Sequence, residues 1–124
     1  MIHSGVDIIE VERIDKAILR HGQRFFDRFY TAQELIDSKG HTPALAARFA
    51  AKEAVAKAMG TGIGDVGWKE IEIVNGPRRR PLLRLHGQAK RLSHSMGLQG
   101  WAVSLSHTHE HAVAVAVAIE ASHR

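Results

Sequence analysis

Four charged side chains lie in an alanine-rich segment that should otherwise belong to the core. They are Arg48, Lys52, Glu53 and Lys57 of the run RFAAKEAVAK, residues 48–57. An unpaired charge is costly to bury, so each side chain must meet an opposite charge, a ligand or solvent. On a helix, Arg48 and Lys52 are neighbours and repel each other unless an anion lies between them. The segment therefore predicts a helix that contributes to an anion site.

A further carboxylate, Asp7, stands in an apolar stretch near the N-terminus. Magnesium takes oxygen ligands, keeps several waters, and is commonly held by one or two carboxylates plus substrate phosphates. Asp7 and Glu53 could supply that pair if their elements pack together, and the basic residues would balance a polyanion. Manganese suits the same oxygen ligands. The alternative for Glu53 and Lys57 is an ordinary exposed helical ion pair, worth about 0.3 kcal/mol.

The elements that position these residues follow from hydrophobic periodicity and turn signals. Alternating apolar residues predict strands at 2–9, 68–74, 81–85, 101–106 and 112–119. Helical spacing and start signals predict helices at 12–29 with a break near Gly22, from the Thr31–Glu34 capping box, at 43–59 with Thr42 as N-cap, and at 87–96. The strand at 68–74 is expected to be half-buried, since its isoleucines alternate with glutamates. This mixture of strands and helices favours an α+β fold.

Composition narrows the class of protein. The chain has 124 residues with no evident linker, which fits one domain. It has no cysteine, which excludes disulfides and thiolate chemistry and is compatible with a reducing cytosol. The N-terminus lacks signal-peptide character, and the apolar run at 112–119 is too short to span a bilayer, so we expect a soluble cytoplasmic protein. A net charge of +4 suggests an acidic partner or substrate.

Basic residues also recur along the helix predicted at 12–29. Arg13, Lys16, Arg20 and Arg24 follow one another at intervals of three and four residues, which stacks them as a stripe on one helix face. The stripe is either a solvated face or a surface for an acidic partner. We call these four residues the basic stripe.

Four motifs together resemble those of a known family. They are GVDIIEVERI at 5–14, RFAAKEA at 48–54, GTGI at 60–63 and VSLSH at 103–107. In this order they resemble holo-acyl-carrier-protein synthase, the short, single-domain class of 4′-phosphopantetheinyl transferases. The resemblance spans nearly the whole chain. It implies one domain over residues 1–124, with a small antiparallel sheet packed against a long central helix, assembling as a homotrimer with active sites between protomers.

The resemblance implies transfer of 4′-phosphopantetheine from coenzyme A to a serine of apo-acyl carrier protein, in support of fatty acid biosynthesis. Adenosine 3′,5′-bisphosphate would be released. The implied magnesium ligands are Asp7 and Glu53, and Glu53 and Lys57 would be the catalytic residues. The general base stays open between Glu53 and a water held by the metal. The residues implied to bind coenzyme A are Arg48, Lys57, Ser106 and His107. Those implied to bind the carrier protein are the four of the basic stripe, Arg13, Lys16, Arg20 and Arg24.

Other features leave alternatives open. The segment Arg78-Arg79-Arg80 departs from the family's usual turn, and it either contacts the nucleotide's 3′-phosphate or is a solvated hairpin tip. His107 completes the Ser-Leu-Ser-His motif. With His109 and His111 it could instead bind zinc, as in a metal hydrolase, or the three could form a polar turn.

A non-catalytic basic module is the main rival from another class. Such a module would bind an acidic protein or nucleic acid, and it accounts for the arginines and the high pI. It gives no role to Asp7 and Glu53, which would repel phosphates without a metal. The transferase hypothesis therefore predicts that the chain binds coenzyme A and apo-acyl carrier protein. It predicts binding to neither nucleic acid nor a membrane.

Overall fold

The computed structural model describes residues 1–121, which form an α+β fold with antiparallel sheets. The elements in chain order are β1 (Ile2–Glu10), α1 (Val11–His21), α2 (Gln23–Phe29), α3 (Ala32–Ser38), α4 (Thr42–Ala58), β2 (Ile71–Asn75), β3 (Pro81–Leu85), α5 (Gly87–Ser95), β4 (Leu98–His107) and β5 (His111–Glu120). Two short 3₁₀ helices, Trp68–Glu70 and Pro77–Arg79, flank β2. The predicted α+β class is confirmed.

The strands form one sheet in the order β1-β5-β4 and a separate β2-β3 hairpin. In the larger sheet Val113 of β5 pairs with Ile8 of β1 on one side and with Ser106 of β4 on the other. The alanines of β5 at 112–118 face the core and are at most 1% exposed. The valines alternating with them face outward, because side chains on a strand point to opposite faces in turn. One face of the sheet is therefore packed and the other is open.

The helix α4 packs against the closed face of this sheet. Leu45, Ala50, Ala54 and Val55 are all fully buried along it. The helix begins one residue earlier than predicted: His41 rather than Thr42 is the N-cap, and it makes no side-chain capping bond. Proline is tolerated in the first turn because an N–H there has no partner within the helix.

Turn signals located the helices before α4 correctly. Gly22, with a φ of 55°, separates α1 from α2. Thr31 caps α3 with both bonds of the capping box, since its hydroxyl accepts from the Glu34 N–H and its own N–H donates to the Glu34 carboxylate at 2.9 Å. This bond fixes one oxygen of Glu34 at the helix start.

The predicted half-buried strand at 68–74 is wrong in two respects. Residues Trp68–Glu70 form a 3₁₀ helix, and β2 is buried on both faces. Glu72 is only 7% exposed, accepts a hydrogen bond from the Thr31 hydroxyl at 2.6 Å, and lies 3.0 Å from the His86 ring nitrogen. The alternation of isoleucine and glutamate could not reveal that residues from other elements also cover the glutamate face of this strand.

No helix within residues 1–121 is both long enough and apolar enough to cross a lipid bilayer.

Candidate active site

Asp7 and two residues of α4 form a charged cluster where β1 crosses the helix. The Lys57 ammonium donates to Asp7 Oδ1 at 3.0 Å and to the Val6 carbonyl oxygen at 3.0 Å. Glu53 lies one helical turn before Lys57. Burial raises the pKa of Glu53, the negative charge of Asp7 raises it further, and Lys57 acts in the opposite direction. Two carboxylates and one ammonium therefore share a site, which we call the carboxylate site.

This site depends on a close approach between β1 and α4 at Gly5. A Cβ atom at Gly5 would lie 2.0 Å from the Ala54 carbonyl oxygen and 2.9 Å from the Ala58 nitrogen. Only glycine can occupy the position without moving backbone. Asp7 is two residues further along the same face of β1, so this contact holds its carboxylate against the helix turn that carries Glu53 and Lys57.

We expect Gly5→Ala to lower the free energy of unfolding by about 1–3 kcal/mol, because the strand must move away from α4. The same movement separates Asp7 from Glu53, so any thermal stabilisation by a cation held between the two carboxylates should fall, with magnesium as the cation tested. Gly97→Ala is the matched control, since Gly97 has a φ of 70° and nothing within 4 Å of its added Cβ. The control should keep the response to magnesium. An equal response in both variants would contradict this account of Gly5.

The donor set at the carboxylate site fits a magnesium ion. Burial and then the negative charge of Asp7 raise the pKa of Glu53, and a bound cation would relieve the repulsion between the two carboxylates. Among residues 1–121, no three or more histidine, aspartate or glutamate side chains form a group that could hold a metal. Two carboxylates leave several positions of an octahedral magnesium ion to waters and substrate phosphates, as that metal prefers.

Lys52 points away from this site into the core. It is fully buried, and its ammonium donates to Glu34 Oε1 at 2.7 Å and to the carbonyl oxygens of Ile71 at 2.6 Å and Trp68 at 3.0 Å. These bonds use all three ammonium protons, so none remains for a ligand. Burial lowers the pKa of Lys52 while the charge of Glu34 opposes that effect. The anion expected beside Lys52 is therefore a carboxylate of the protein, Glu34, whose charge also acts on Arg48.

Arg48 is also separated from the carboxylate site. It is 6% exposed, and its guanidinium donates to the Ile73 carbonyl oxygen at 3.2 Å and to Asn75 Oδ1 at 2.9 Å. Burial lowers the pKa of Arg48, and the charge of Glu34 acts against this effect. The arginine predicted to bind coenzyme A therefore lies against the β2-β3 hairpin and does not contact Asp7 or Glu53.

The other residues predicted to bind coenzyme A lie at the end of β4. Ser106 shares the open sheet face with Ile8, since both pair with Val113. The His107 ring lies 5.9 Å from the ring of His41, the N-cap of α4. About 18 Å of helix separates His41 from Glu53, at 1.5 Å per residue. One protomer alone thus does not bring these predicted contacts together.

His109 and His111 do not share one strand face with His107. β4 ends at His107 and β5 begins at His111, and the Thr108 hydroxyl accepts from the N–H of Glu110 and of His111. The segment is a polar turn, which is the alternative to zinc binding.

The basic stripe lies beside a groove of about 400 Å³ between α1, α2 and α4. Aromatic rings line its floor, namely Phe25, Phe29 and Phe49, and basic side chains surround them, namely Arg13, His21, Arg24 and Arg28. We call this the basic groove. Lys16 and Arg20 lie next to it, around a smaller depression, and Lys16 pairs with Glu12 at 3.3 Å. Sequence reasoning did not include Arg28 in the basic stripe, although Arg28 follows Arg24 by four residues in the same series.

The Arg78-Arg79-Arg80 segment is exposed at the tip of the β2-β3 hairpin, with φ values of 57° at Arg78 and 62° at Arg79. Arg78 and Arg80 line a depression of about 520 Å³ that also includes Trp101.

Sequence comparison finds relatives along most of the chain. The profile of the 4′-phosphopantetheinyl transferase superfamily matches residues 4–116. The holo-[acyl-carrier-protein] synthase of Herpetosiphon aurantiacus is 45% identical over 115 residues, covering 87% of this chain and 91% of that protein. The enzyme of the same name from Carboxydothermus hydrogenoformans is 48% identical over 110 residues, covering 86% and 89%.

Solved structures are similar over the same extent. The holo-[acyl-carrier-protein] synthase of Helicobacter pylori in complex with coenzyme A superposes with a TM-score of 0.86 at 33% identity, covering 96% of this chain and 100% of that one. The synthase of Neisseria meningitidis gives a TM-score of 0.88 at 34% identity, covering 97% and 100%.

Proposed function

The chain belongs to the 4′-phosphopantetheinyl transferase superfamily, and we propose that it converts apo-acyl carrier protein to the holo form. It transfers the 4′-phosphopantetheine of coenzyme A to a serine of the carrier protein and releases adenosine 3′,5′-bisphosphate. The observation that carries this assignment is the carboxylate site, where two of the shared motifs meet through Asp7, Glu53 and Lys57. The test is transfer itself, measured as a gain in the mass of the apo-carrier.

We propose that Asp7 and Glu53 hold a magnesium ion at this site, with manganese as a substitute. A bound ion would supply positive charge to the pyrophosphate of coenzyme A and to the leaving bisphosphate. Lys57 is fixed by Asp7 and by the Val6 carbonyl, and its side chain is 50% exposed, so its charge can face a phosphate. Glu53 is the chain's own candidate to accept the proton of the carrier serine.

The open face of the larger sheet supports assembly as a homotrimer. Its apolar side chains are 41–69% exposed, and they are Ile2, Val6, Ile8, Val115 and Ile119. A contiguous apolar surface of this kind marks a protein interface more often than a solvated face. Ser106 lies on the same face, beside Val113. We propose that a neighbouring protomer brings its Ser106 and His107 to the coenzyme A held at the carboxylate site. Arg48 is 6% exposed and bonded to β2, so its contact with coenzyme A stays a prediction from the family resemblance.

We expect Val115→Lys to convert the trimer to monomers, because a charge at the centre of the open face cannot be buried without a partner. Transfer should fall by at least about tenfold if the sites lie between protomers, which is a cost of about 1.4 kcal/mol. Ile36→Lys is the control, since Ile36 is 67% exposed on α3. Sedimentation velocity measures the assembly. A parent chain that is a fully active monomer would contradict the proposal.

We propose that the basic groove binds the acidic surface of the carrier protein. Arg13 lies in a matched motif and lines both the groove and the neighbouring depression. Arg13→Glu should raise the KM for carrier protein about tenfold, because a reversed charge repels an acidic partner. The KM for coenzyme A should change little. Added salt should reduce the difference in the KM for carrier protein between the variant and the parent. Lys90→Glu, an exposed lysine on α5, changes the net charge equally and should leave both constants unaltered.

The cellular role follows from the reaction. We propose that the chain acts in the cytoplasm and supplies holo-acyl carrier protein to fatty acid biosynthesis. The basic-module alternative accounts for the basic stripe but gives the carboxylate site no purpose. It predicts carrier or nucleic-acid binding without transfer, so the mass measurement distinguishes the two.

A further inference from the structure

An aromatic contact connects the basic groove to the rest of the molecule. The Trp68 ring stacks on Phe49 with centroids 4.5 Å apart and meets Phe29 edge-on at 4.8 Å. Phe29 and Phe49 are two of the three rings on the groove floor. Trp68 therefore contacts two of the three rings that an occupant of the groove would meet.

Trp68 directly follows a segment of the chain that leads away from the carboxylate site. This segment, residues 59–67, starts two residues after Lys57, and the Gly60 N–H donates to the Lys57 carbonyl oxygen at 2.9 Å. Gly60, Gly62 and Gly64 have φ values of 77°, 69° and 135°, which side-chain-bearing residues rarely adopt. Immediately after the segment, the Trp68 carbonyl oxygen accepts a hydrogen bond from the buried Lys52 ammonium at 3.0 Å. We call residues 59–67 the glycine segment.

We propose that Trp68 is a positioning residue for transfer, linking the occupied basic groove to the glycine segment beside Lys57. The inference rests on the proposed role of the groove in binding the carrier protein. Its occupant is an acidic helix of the carrier, because arginines surround an apolar floor and complement such a surface. A carrier side chain against Phe29 and Phe49 changes the packing of the Trp68 ring. Because Trp68 directly follows the glycine segment, a shift of its ring is passed to that segment, beside Lys57 at the other substrate's site.

Tryptophan fluorescence tests the first half of this inference. The chain has two tryptophans, so in Trp101→Phe only Trp68 emits. We expect its emission to change on titration with apo-acyl carrier protein and to saturate at the concentration that saturates transfer. Trp68→Phe, in which only Trp101 emits, should show no such change. The emission of carrier protein alone is subtracted from both titrations.

Transfer kinetics test the second half. Trp68→Leu should lower kcat/KM for carrier protein about tenfold, as misplacement of a substrate commonly does, while the KM for coenzyme A stays within about twofold. Trp68→Phe should recover most of the loss, because a ring still stacks on Phe49. Phe26→Leu is the matched control, since Phe26 packs on Phe25 at 6.1 Å within α2 and outside the Trp68 contacts. It should cost similar thermal stability without the kinetic loss.

Two results would overturn the inference while leaving the transferase assignment intact. One is a Trp101→Phe variant that modifies the carrier normally with no change in Trp68 emission. The other is a Trp68→Leu variant with the kinetics of the Phe26→Leu control. If the parent chain transfers nothing, the proposed function fails and the inference fails with it.

Discussion

Glu53→Gln should lower the rate of transfer at least about a hundredfold without unfolding the protein. The substitution keeps the shape of the side chain but removes one of two carboxylates proposed to hold the metal. Metal stabilisation of a phosphoryl transition state is worth several kcal/mol, and each 1.4 kcal/mol is tenfold in rate. Glu110→Gln, on the exposed β4-β5 turn, is the matched control and should retain the parent rate.

Stability should move in the opposite direction to activity. Burial and the charge of Asp7 raise the pKa of Glu53 in the folded chain, so folding without metal binds a proton at pH values between the ordinary and the raised pKa. Stability of the metal-free parent therefore falls as pH rises through that window, and glutamine removes this dependence. We expect metal-free Glu53→Gln to be at least as stable as the parent at neutral pH. Full activity in this variant, or unfolding, would contradict the assigned role.

Glu34→Ala should lower the free energy of unfolding by about 3–5 kcal/mol, because it leaves the fully buried Lys52 ammonium without its counterion. It also removes the acceptors for the backbone N–H of Thr31 and of Ile73, at 2.9 Å each. A loss of this size is a large part of the stability of a small domain. Urea denaturation measures it. Glu12→Ala, which breaks the exposed pair with Lys16, should cost less than about 1 kcal/mol.

The pH dependence identifies the stranded ammonium as the cause. Burial already lowers the pKa of Lys52, and without Glu34 nothing of comparable size opposes that effect. The folded Glu34→Ala variant then binds fewer protons than the unfolded chain in alkaline solution, so its stability rises with pH relative to the parent. Adding Lys52→Met should restore part of the loss, since a methionine needs no counterion. An additive double variant would show that the ion pair is not the source.

The helices before and including α4 could be located from the sequence because each begins or ends at a local signal. Gly22 breaks the first helical run, Thr31 and Glu34 form a capping box, and proline opens α4. These signals depend on residues only a few positions apart, so they can be recognised in the sequence alone. The strand β2 was misjudged because its second face is covered by Thr31 and His86 from distant elements. Burial by residues that are distant in the sequence does not change the pattern of apolar and polar residues within the strand.

The same limit applies to the four charges of α4. Spacing along the helix grouped Arg48 and Lys52 as an anion site. The counterion of Lys52 is Glu34, on another helix and 18 residues before it, and Arg48 donates to neutral oxygens of β2. Lys57 pairs with Asp7, 50 residues away, and not with Glu53 as in the alternative of an ordinary helical ion pair. The meeting of Asp7 with α4 was expected if the two elements packed. The glycine at position 5, where a Cβ would strike Ala54, is the sequence signal that makes that packing necessary.

Intact-mass spectrometry of apo-acyl carrier protein tests the central claim most directly. The carrier is incubated with the chain, coenzyme A and magnesium, with Glu53→Gln, Glu110→Gln and a chelator-treated sample in parallel. We predict that the parent and Glu110→Gln add one phosphopantetheine to each carrier, with adenosine 3′,5′-bisphosphate released in equal amount. The other two samples should leave the carrier unmodified. An unmodified carrier with the folded parent chain, when a known transferase modifies the same preparation, would contradict the account.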